Sequence, residues 1–573
     1  MTLDASRLID VERLTVEFVT RDGVVSAVRD VSFSLQRGET LGIVGESGSG
    51  KSVTSLALMR ILDENGQIAE GEMRYSGIDL CRAEDREMND IRGREISMIF
   101  QNPRSALNPI RKVGQQIEDV LRQHAQATVQ NARERAIALL ETVRIADPEI
   151  HYHAYPHELS GGMCQRVVIA IALACEPRVL IADEPTTGLD VTTQKMILDL
   201  VSDLTDDRGM STILITHDLA LAAGYCDRIA VMKSGEVIET AASSELFASP
   251  RDPYTRALIS ATPRRDAEIT DLLPEEDRRK RKLWPNQPKE APTSGTPLLS
   301  VKGLTKKFDK AAKSVLPFRK SGPDTTGRHA VYRINFDVMR GESVGLVGES
   351  GCGKSTTSLM LMRLLDPTSG SIELNGQDIA QIPAKHFSKR PERPHLQMIF
   401  QDPTDSLNPR FTAARCIADP IQQLGGIGSA AHIDRRVAEL ADMVRLPREL
   451  LQRFPHQLSG GQKARVGIAR AIALSPAFLV LDEPTAALDV SVQAVVLNLL
   501  ADLRKELAIS YLFVSHDLNV VRLLCERVIV MRAGQIVEQG DIEQVMERPV
   551  AHYTRQLLDA CPEPPTSSAA ALR

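Results

Sequence analysis

The chain has 573 residues, several times the usual domain size, so we expect it to fold as at least two compact units. Hydrophobic residues at 43% and charged residues at 25% lie in the ordinary range of folded globular proteins. A formal net charge of -6 and the lack of a recurring basic stretch argue against binding to the phosphate backbone of a nucleic acid.

The N-terminal segment and the cysteines predict a cytoplasmic chain. The segment MTLDASRLIDVERL carries Asp4 and Asp10 and lacks the basic-then-apolar order of a signal peptide. No run approaches the roughly 20 apolar residues that cross a bilayer. The 8 cysteines include no CxxC pair, which argues against a disulfide framework or a zinc ribbon. We therefore expect the chain to reach a membrane only through partners.

The first chemical motif is a glycine-rich loop, GESGSGKS, between the apolar run TLGIV and the helical pattern SVTSLALMRIL. Glycines in such a strand-loop-helix unit let backbone N-H groups converge on phosphates at a helix N-terminus. Lys51 is expected to reach the β and γ phosphates, and Ser52 to bind Mg²⁺. The residues predicted to surround ATP here are Gly45, Ser47, Gly48, Ser49, Gly50, Lys51, Ser52 and Val53.

Three further apolar runs of the first half end in polar residues. Asp183 and Glu184 end RVLIADE, where Asp183 is a natural outer partner of Mg²⁺ and Glu184 is placed to polarise an attacking water. Gln101 follows ISMIF and would reach the metal or the water, and His217 follows TILIT and could bind the γ-phosphate. Taken singly, a strand-end glutamine is uninformative, and a lone histidine there is more often structural.

A helical region separates Gln101 from a second candidate site for an anion. Residues 118–143 have the apolar spacing of amphipathic helices, and core packing accounts for most of those positions. LSGG at 159–162 then precedes another helical stretch, and a serine with two glycines at a helix start binds anions. Because this half already has a phosphate loop, Ser160, Gly161 and Gly162 are best explained as donors to a nucleotide held by another copy.

The second half repeats these motifs in the same order and at nearly constant spacing, which chance does not explain. It therefore predicts a second site of the same kind. Its counterparts in the phosphate loop are Gly348, Ser350, Gly351, Cys352, Gly353, Lys354, Ser355 and Thr356. The remaining counterparts are Gln401, Ser459, Gly460, Gly461, Asp482, Glu483 and His516.

Residues 263–297 separate the two copies and are rich in proline and charge, with RRKRK at 278–282 beside Trp284. We interpret them as a solvated linker, with contact to acidic lipid or a partner as the alternative. The second copy also carries a polar surface loop near 310–328. The predicted domains are thus 1–262 and 298–561, followed by a disordered tail at 562–573.

Over nearly its whole length, this motif set resembles that of tandem ATP-binding cassette (ABC) proteins. The resemblance implies an α/β fold of two P-loop NTPase cassettes, each with a RecA-like parallel-sheet core, an antiparallel β subdomain and an α-helical subdomain. It implies ATP hydrolysis in which Gln101, Glu184 and His217, and in the second copy Gln401, Glu483 and His516, act catalytically. The implied Mg²⁺ ligands are Ser52, Gln101, Asp183, Ser355, Gln401 and Asp482.

In this family the two cassettes pair head to tail. Each LSGG signature would then cover the ATP held by the other copy's phosphate loop, so that both sites are composite. The signatures depart slightly from the family pattern, since Met163 replaces a glutamine in the first copy and Ala464 replaces one in the second. No motif identifies the ring that stacks on adenine, for which Phe18 and Phe308 are the candidates.

The segments at 252–263 and 551–562, DPYTRALISATP and AHYTRQLLDACP, resemble the HPYTRALL ending of importers of oligopeptides, dipeptides, glutathione and nickel. The chain as a whole is similar to the fused two-cassette subunits of glutathione-type and microcin C type peptide importers. Asp252 departs from the histidine of that ending. The cysteine cluster that binds an iron-sulfur centre in some members is missing, so we predict no such cofactor.

This resemblance implies two transmembrane permease subunits and an extracytoplasmic substrate-binding protein as partners. The chain would then lie peripherally on the cytoplasmic face of a bacterial inner membrane, and none of its motifs identifies the cargo. The alternative is a soluble tandem cassette that acts on ribosomes or DNA. The proline-broken linker and the lack of zinc-type cysteine spacing argue against that alternative.

Overall fold

The structure is a computed structural model of the chain, and it describes residues 6–21, 23–124, 126–274, 278, 295–308, 328–425, 429–486 and 488–562. Two compact units divide the chain, the first ending at Thr262 and the second running from Pro263 to Cys561. Most of three predicted segments lies outside the described residues: the basic run with Trp284, the polar segment at 310–328 and the tail from Pro562.

The first unit alternates strands and helices. Its strands are β1 (Arg7–Thr20), β2 (Gly23–Gln36), β3 (Thr40–Val44), β4 (Gly66–Tyr75), β5 (Ile78–Asp79), β6 (Ile96–Ile99), β7 (Val179–Asp183), β8 (Ser211–Thr216), β9 (Arg228–Lys233) and β10 (Glu236–Ala242). Its helices are α1 (Lys51–Leu58), α2 (Asp85–Ile91), α3 (Pro103–Ala106), α4 (Val113–Gln123), α5 (Ala132–Thr142), α6 (Pro148–Tyr152), α7 (Gly161–Leu173), α8 (Val191–Asp207), α9 (Leu219–Tyr225), α10 (Ser243–Ala248) and α11 (Pro253–Ala261).

The second unit repeats this order. Its strands are β11 (Leu299–Phe308), β12 (Arg328–Val338), β13 (Ser343–Val347), β14 (Ser369–Leu374), β15 (Gln377–Asp378), β16 (Leu396–Ile399), β17 (Phe478–Asp482), β18 (Ser510–Ser515), β19 (Arg527–Arg532) and β20 (Gln535–Asp541). Its helices are α12 (Lys354–Leu361), α13 (Ala384–Phe387), α14 (Pro403–Ser406), α15 (Ala413–Leu424), α16 (Ala430–Met443), α17 (Gly460–Ile472), α18 (Val490–Leu507), α19 (Leu518–Leu524), α20 (Ile542–Glu547) and α21 (His552–Ala560).

A six-stranded sheet forms the centre of each unit. In the first unit its order is β10-β9-β3-β8-β7-β6, and only β10 runs antiparallel to its neighbour. Every residue of β7 and β8 is buried, as is usual for parallel strands covered on both faces. The second unit has the equivalent order β16-β17-β18-β13-β19-β20. Because β3, β8, β7 and β6 are neighbours, their carboxyl ends meet at one edge, which is where parallel sheets bind ligands.

A four-stranded antiparallel sheet accompanies each central sheet, with the order β2-β1-β4-β5 in the first unit and β12-β11-β14-β15 in the second. Leu14 and Met73 of the first antiparallel sheet belong to the same buried cluster as Ile43 and Ile181 of the central sheet. The two sheets of a unit therefore share one hydrophobic core.

The third part of each unit is helical and lies between two neighbouring strands of the central sheet. In the first unit α4, α5 and α7 contact one another between β6 and β7. Leu121, Leu140 and Val143 are buried, which confirms the amphipathic pattern of 118–143 as a packing pattern. Each unit thus contains the parallel core, the antiparallel sheet and the helical part that the resemblance implied.

The first residues of the predicted linker pack against the second unit. A short 3-10 helix, Ile269–Leu272, lies on α18, where Nδ2 of Asn498 donates a hydrogen bond to the carbonyl of Ile269 at 2.7 Å. The side chain of Leu272 is fully buried, and Arg265 donates to the carbonyl of Met546 at 2.9 Å. This part of the segment is docked rather than solvated, because its apolar side chains find an apolar surface. The exact domain boundaries remain a prediction.

Within the ranges that the structure describes, no helix is both long enough and apolar enough to cross a membrane.

Candidate active sites

The glycine loop of the first unit runs from the end of β3 to the start of α1, which begins at Lys51. Gly45 has φ +158, and a Cβ there would lie 2.2 Å from the carbonyl oxygen of Met232. Gly50 has φ +98, and its Cβ would lie 2.7 Å from the carbonyl oxygen of Ala27. Only glycine fits both positions, so the loop can curl tightly at the N-terminus of α1, where an anion is stabilised.

The loop lysine of each unit lies against its own loop. Nζ of Lys51 donates to the carbonyls of Gly45 and Glu46, both at 2.8 Å. In the second unit Nζ of Lys354 donates to the carbonyl of Gly348 at 2.5 Å and to that of Glu349 at 2.9 Å. Both lysines are only 5% exposed. Each unit therefore keeps a positive charge in the loop that is shaped to receive phosphates.

The other loop residues lie where the motif predicts. Ser47, Gly48 and Ser49 form the turn, and Ser350, Gly351 and Cys352 are their counterparts. Ser52 and Val53 stand in the first turn of α1, and Ser355 and Thr356 in that of α12. Cys352 is 5% exposed, and burial raises the pKa of its thiol, so this cysteine behaves as a small packed residue.

A serine and an aspartate of each unit are paired next to the loop. Oγ of Ser52 donates to Oδ1 of Asp183 at 3.0 Å, and Ser355 donates to Asp482 at 3.5 Å. Burial raises the pKa of both aspartates to about 6. Two hard oxygen ligands beside a phosphate loop fit Mg²⁺, which usually takes one or two carboxylates and completes its shell with phosphates and water. No group of three or more His, Cys, Asp or Glu residues that could hold a metal occurs in the described part of the chain.

The carboxylate of Glu184 is hydrogen-bonded to several side chains of the first site. Nε2 of Gln101 donates to its Oε2 at 2.8 Å, and Oγ1 of Thr187 donates to the same oxygen at 2.9 Å. Nδ1 of His217 lies 3.2 Å from its Oε1. Burial by itself would raise the pKa of Glu184, but the hydrogen bonds from His217, Thr187 and Gln101 lower it to about 2. Glu184 is thus held as a carboxylate.

The second site repeats this arrangement but differs from it at the position of Thr187. Nε2 of Gln401 donates to Oε2 of Glu483 at 2.9 Å, and Nδ1 of His516 lies 3.4 Å from Oε1 of the same glutamate. At the position of Thr187 the second copy has Ala486, which has no hydroxyl to donate. Sequence reasoning missed Thr187, although the two copies differ visibly there, as EPTTGLD against EPTAALD.

Backbone strain marks both glutamates. Glu184 has φ 45 and Glu483 has φ 47, in the left-handed region that residues other than glycine rarely adopt. Each directly follows a buried strand, and the N-H of Glu184 donates to the carbonyl of Ile215 at 2.9 Å. Such strain persists where the surrounding structure imposes it, and it is common at functional sites.

The structure divides the predicted metal ligands of each unit between two groups. Ser52 and Asp183 are paired, whereas Gln101 bonds to Glu184. The carboxylate of Glu184 can accept a proton from water while the lysine and the loop hold an anion, which is the arrangement needed to transfer a phosphoryl group to water.

Each LSGG signature lies at the start of a helix, and this helix is not the one that follows the phosphate loop of the same unit. Ser160 caps α7 and accepts from the N-H of Met163 at 3.3 Å, and Ser459 caps α17 and accepts from the N-H of Gln462 at 3.3 Å. Both serines are exposed, and Gly161, Gly162, Gly460 and Gly461 form the exposed or half-buried first turns. In the second copy the side chain of Gln462 also accepts from the N-H of Ser459, which Met163 cannot match.

The two candidate aromatic residues for adenine differ in their surroundings. Phe18 packs against the hydrophobic core of the first unit, next to Gly66. Phe308 is 49% exposed, and Nζ of Lys306 lies 5.3 Å from the centre of its ring. A role in stacking on adenine remains a prediction for both.

Two family models match the chain, and each matches it twice. The model described as ABC transporter covers residues 28–187 and 331–486. The model described as oligopeptide/dipeptide transporter, C-terminal region, covers 238–289 and 537–572. The first model alone covers more than half of the chain, and both recur in register with the internal repeat.

Similar proteins extend over almost the whole chain. A glutathione import ATP-binding protein of Salmonella choleraesuis is 43% identical over 576 residues, covering 98% of this chain and 90% of that protein. The glutathione import ATP-binding protein of Escherichia coli strain K12 is 44% identical with the same coverage. Among solved structures, a dimeric post-hydrolysis state of the ATP-binding cassette MJ0796 bound to ADP and Pi matches 43% of this chain and 98% of its own, with 29% identity and a TM-score of 0.37.

The family models and the similar glutathione import proteins confirm the predicted family, the predicted fold class and the predicted ATPase activity. Both units also have a glycine loop, a Ser-Asp pair and a glutamate that accepts a hydrogen bond from a glutamine. The chain therefore belongs to the ABC transporter family and is an ATP-hydrolysing protein with two cassettes in tandem.

Proposed function

We propose that this chain is the ATP-hydrolysing subunit of an importer, and that it couples ATP hydrolysis to uptake of peptides or peptide-like substrates. The observation that carries the proposal is the end-to-end similarity to glutathione import ATP-binding proteins, together with an oligopeptide/dipeptide C-terminal region in both units. The soluble alternative, a tandem cassette on ribosomes or DNA, is not favoured by these relatives.

Within each site the residues of the chain have separate roles. Lys51 exchanges its carbonyl partners for phosphate oxygens, and the loop N-H groups bind the same phosphates. Glu184 orients the attacking water and accepts its proton, while Gln101 and His217 hold the carboxylate in place. Ser52 and Asp183 would hold Mg²⁺, which supplies neutralisation of the charge on the phosphates.

We propose that both sites are composite and that both hydrolyse ATP. The support is that each unit has two sets of donors at helix starts, its phosphate loop and its exposed signature serine, and the phosphate loop alone suffices to hold the phosphates of one nucleotide. Site one would combine Lys51 and Glu184 with Ser459, and site two would combine Lys354 and Glu483 with Ser160.

The pairing is tested by blocking one site at a time. In a Glu483→Gln background only site one hydrolyses, so Ser459→Ala should lower single-turnover hydrolysis more than tenfold while Ser160→Ala changes it less. In a Glu184→Gln background the two serine variants should exchange their effects. If each serine instead affects hydrolysis by its own unit, the head-to-tail pairing is refuted.

We further propose two permease subunits and an extracytoplasmic binding protein as partners, with the chain peripheral on the cytoplasmic face of a bacterial inner membrane. The support is that the similar proteins are glutathione import ATP-binding proteins. The test is ATP-dependent uptake of labelled glutathione and of a dipeptide into vesicles that contain the permeases, the binding protein and this chain. The importer proposal would be refuted if neither compound were taken up and the chain were recovered on ribosomes or DNA.

A further inference from the structure

The C-terminal helix of the second unit touches the phosphate loop of that unit. The backbone N-H of Glu349 donates a hydrogen bond to Oη of Tyr553 at 3.0 Å. Glu349 is the second residue of GESGCGKS, and Tyr553 lies in the first turn of α21. The tyrosine is 3% exposed, so its hydroxyl is largely shielded from competing water.

This hydrogen bond acts on a peptide unit that is also held on its other side. The N-H of Glu349 and the carbonyl of Gly348 belong to one planar peptide, and that carbonyl accepts from Nζ of Lys354 at 2.5 Å. Gly348 has φ +152, and a Cβ there would lie 2.2 Å from the carbonyl oxygen of Met531. Tyr553, Lys354 and β19 together therefore fix the orientation of the first peptide plane of the loop.

The tyrosine itself is held firmly. The carboxylate of Glu538 on β20 accepts from the backbone N-H of Val550 at 2.8 Å and of Ala551 at 3.1 Å, which fixes the turn before α21. The guanidinium of Arg532 lies 4.8 Å from the centre of the tyrosine ring. Leu557, one turn further along the helix, is 1% exposed. The hydroxyl thus reaches the loop from a rigid support.

We propose that Tyr553 is a positioning residue for nucleotide binding, because its hydroxyl holds the phosphate loop in the conformation that receives phosphates. A loop that is already ordered loses less conformational freedom when it binds. The proposal rests on the ATPase activity of the chain and not on its role in import. The first unit has Tyr254 at the matching position, where Nζ of Lys233 lies 4.6 Å from the centre of the ring.

The test uses the full chain with Glu184→Gln and Glu483→Gln, so that ATP binds without being hydrolysed. Tyr553→Phe removes the hydroxyl and keeps the ring, and binding of ATP with Mg²⁺ is measured by calorimetry. We expect one of the two sites to bind about fivefold more weakly, the equivalent of about 1 kcal/mol. In the hydrolysing chain the KM for ATP should rise while kcat changes less than twofold.

The matched control is Tyr511→Phe in the same unit. Tyr511 is also buried, and its hydroxyl donates to the carbonyl of Leu500 at 3.1 Å. Tyr511 lies near the beginning of β18. This control should lower the melting temperature without changing ATP affinity. The proposal is overturned if Tyr553→Phe lowers only the melting temperature, or if both variants weaken ATP binding equally.

Discussion

Thr187 donates a hydrogen bond to the proposed catalytic glutamate of site one, and site two has no hydroxyl at the matching position. Its hydroxyl donates to Oε2 of Glu184 at 2.9 Å, and the equivalent residue of the second unit is Ala486. We predict that Thr187→Ala slows hydrolysis at site one, because the general base is then less firmly oriented.

The expected size follows from the surroundings of the two side chains. A hydrogen bond to a charged group contributes roughly 1.5–3 kcal/mol when it is well shielded. The side chain of Glu184 is 13% exposed, but Thr187 is exposed, so we expect about 1 kcal/mol here. That corresponds to a rate that is roughly fivefold lower. Gln101 and His217 remain in place, so hydrolysis is not abolished.

The assay is single-turnover phosphate release in a Glu483→Gln background, which isolates site one. Thr187→Ser keeps the hydroxyl and should retain at least half of the original rate. The converse substitution, Ala486→Thr in a Glu184→Gln background, should accelerate site two by a few-fold. An unchanged rate in Thr187→Ala, or an equal loss in Thr187→Ser, would refute the reasoning.

Three further outcomes are expected. Because burial raises the pKa of Asp183 from 3.8 to about 6, its ionisation destabilises the nucleotide-free fold as pH rises through that range. Asp183→Asn should therefore raise the melting temperature by roughly 2–4 °C at pH 7.5 but not at pH 4, while abolishing hydrolysis at site one; equal shifts at both pH values would contradict this. N-ethylmaleimide should inactivate ATP hydrolysis slowly at pH 7 and faster at pH 9, because burial raises the pKa of the Cys352 thiol. The Cys352→Ser variant should resist this inactivation. Equal rates of inactivation in the variant and in the original chain would exclude Cys352 as the target. Gly50→Ala should abolish ATP binding at the first phosphate loop, since its Cβ would lie 2.7 Å from a carbonyl oxygen, whereas Gly209→Ala, with nothing within 4 Å, should leave binding intact. Binding of two ATP molecules with normal affinity by Gly50→Ala would contradict the steric argument.

Most of the candidate site could be predicted from the sequence because its residues follow local patterns. Lys51 and Ser52 are placed by a strand-loop-helix unit, and Asp183 and Glu184 by the end of a buried strand. The same patterns recur in the second half, which is why one motif set predicted two cassettes. The pairing of Gln101 with Glu184, rather than with Ser52 and Asp183, depended on side-chain directions that no motif specifies.

The order of motifs along the chain determined the family, the number of cassettes and the residue types at each phosphate loop, because strand, turn and helix are set by neighbouring residues. Three features were decided only by tertiary structure: the hydroxyl of Thr187 on Glu184, the hydroxyl of Tyr553 on the phosphate loop, and the docking of Ile269–Leu272 on α18. The last two join residues separated by more than 200 positions. Such contacts form only when the whole unit has packed, since neither partner's local sequence specifies where the other will lie.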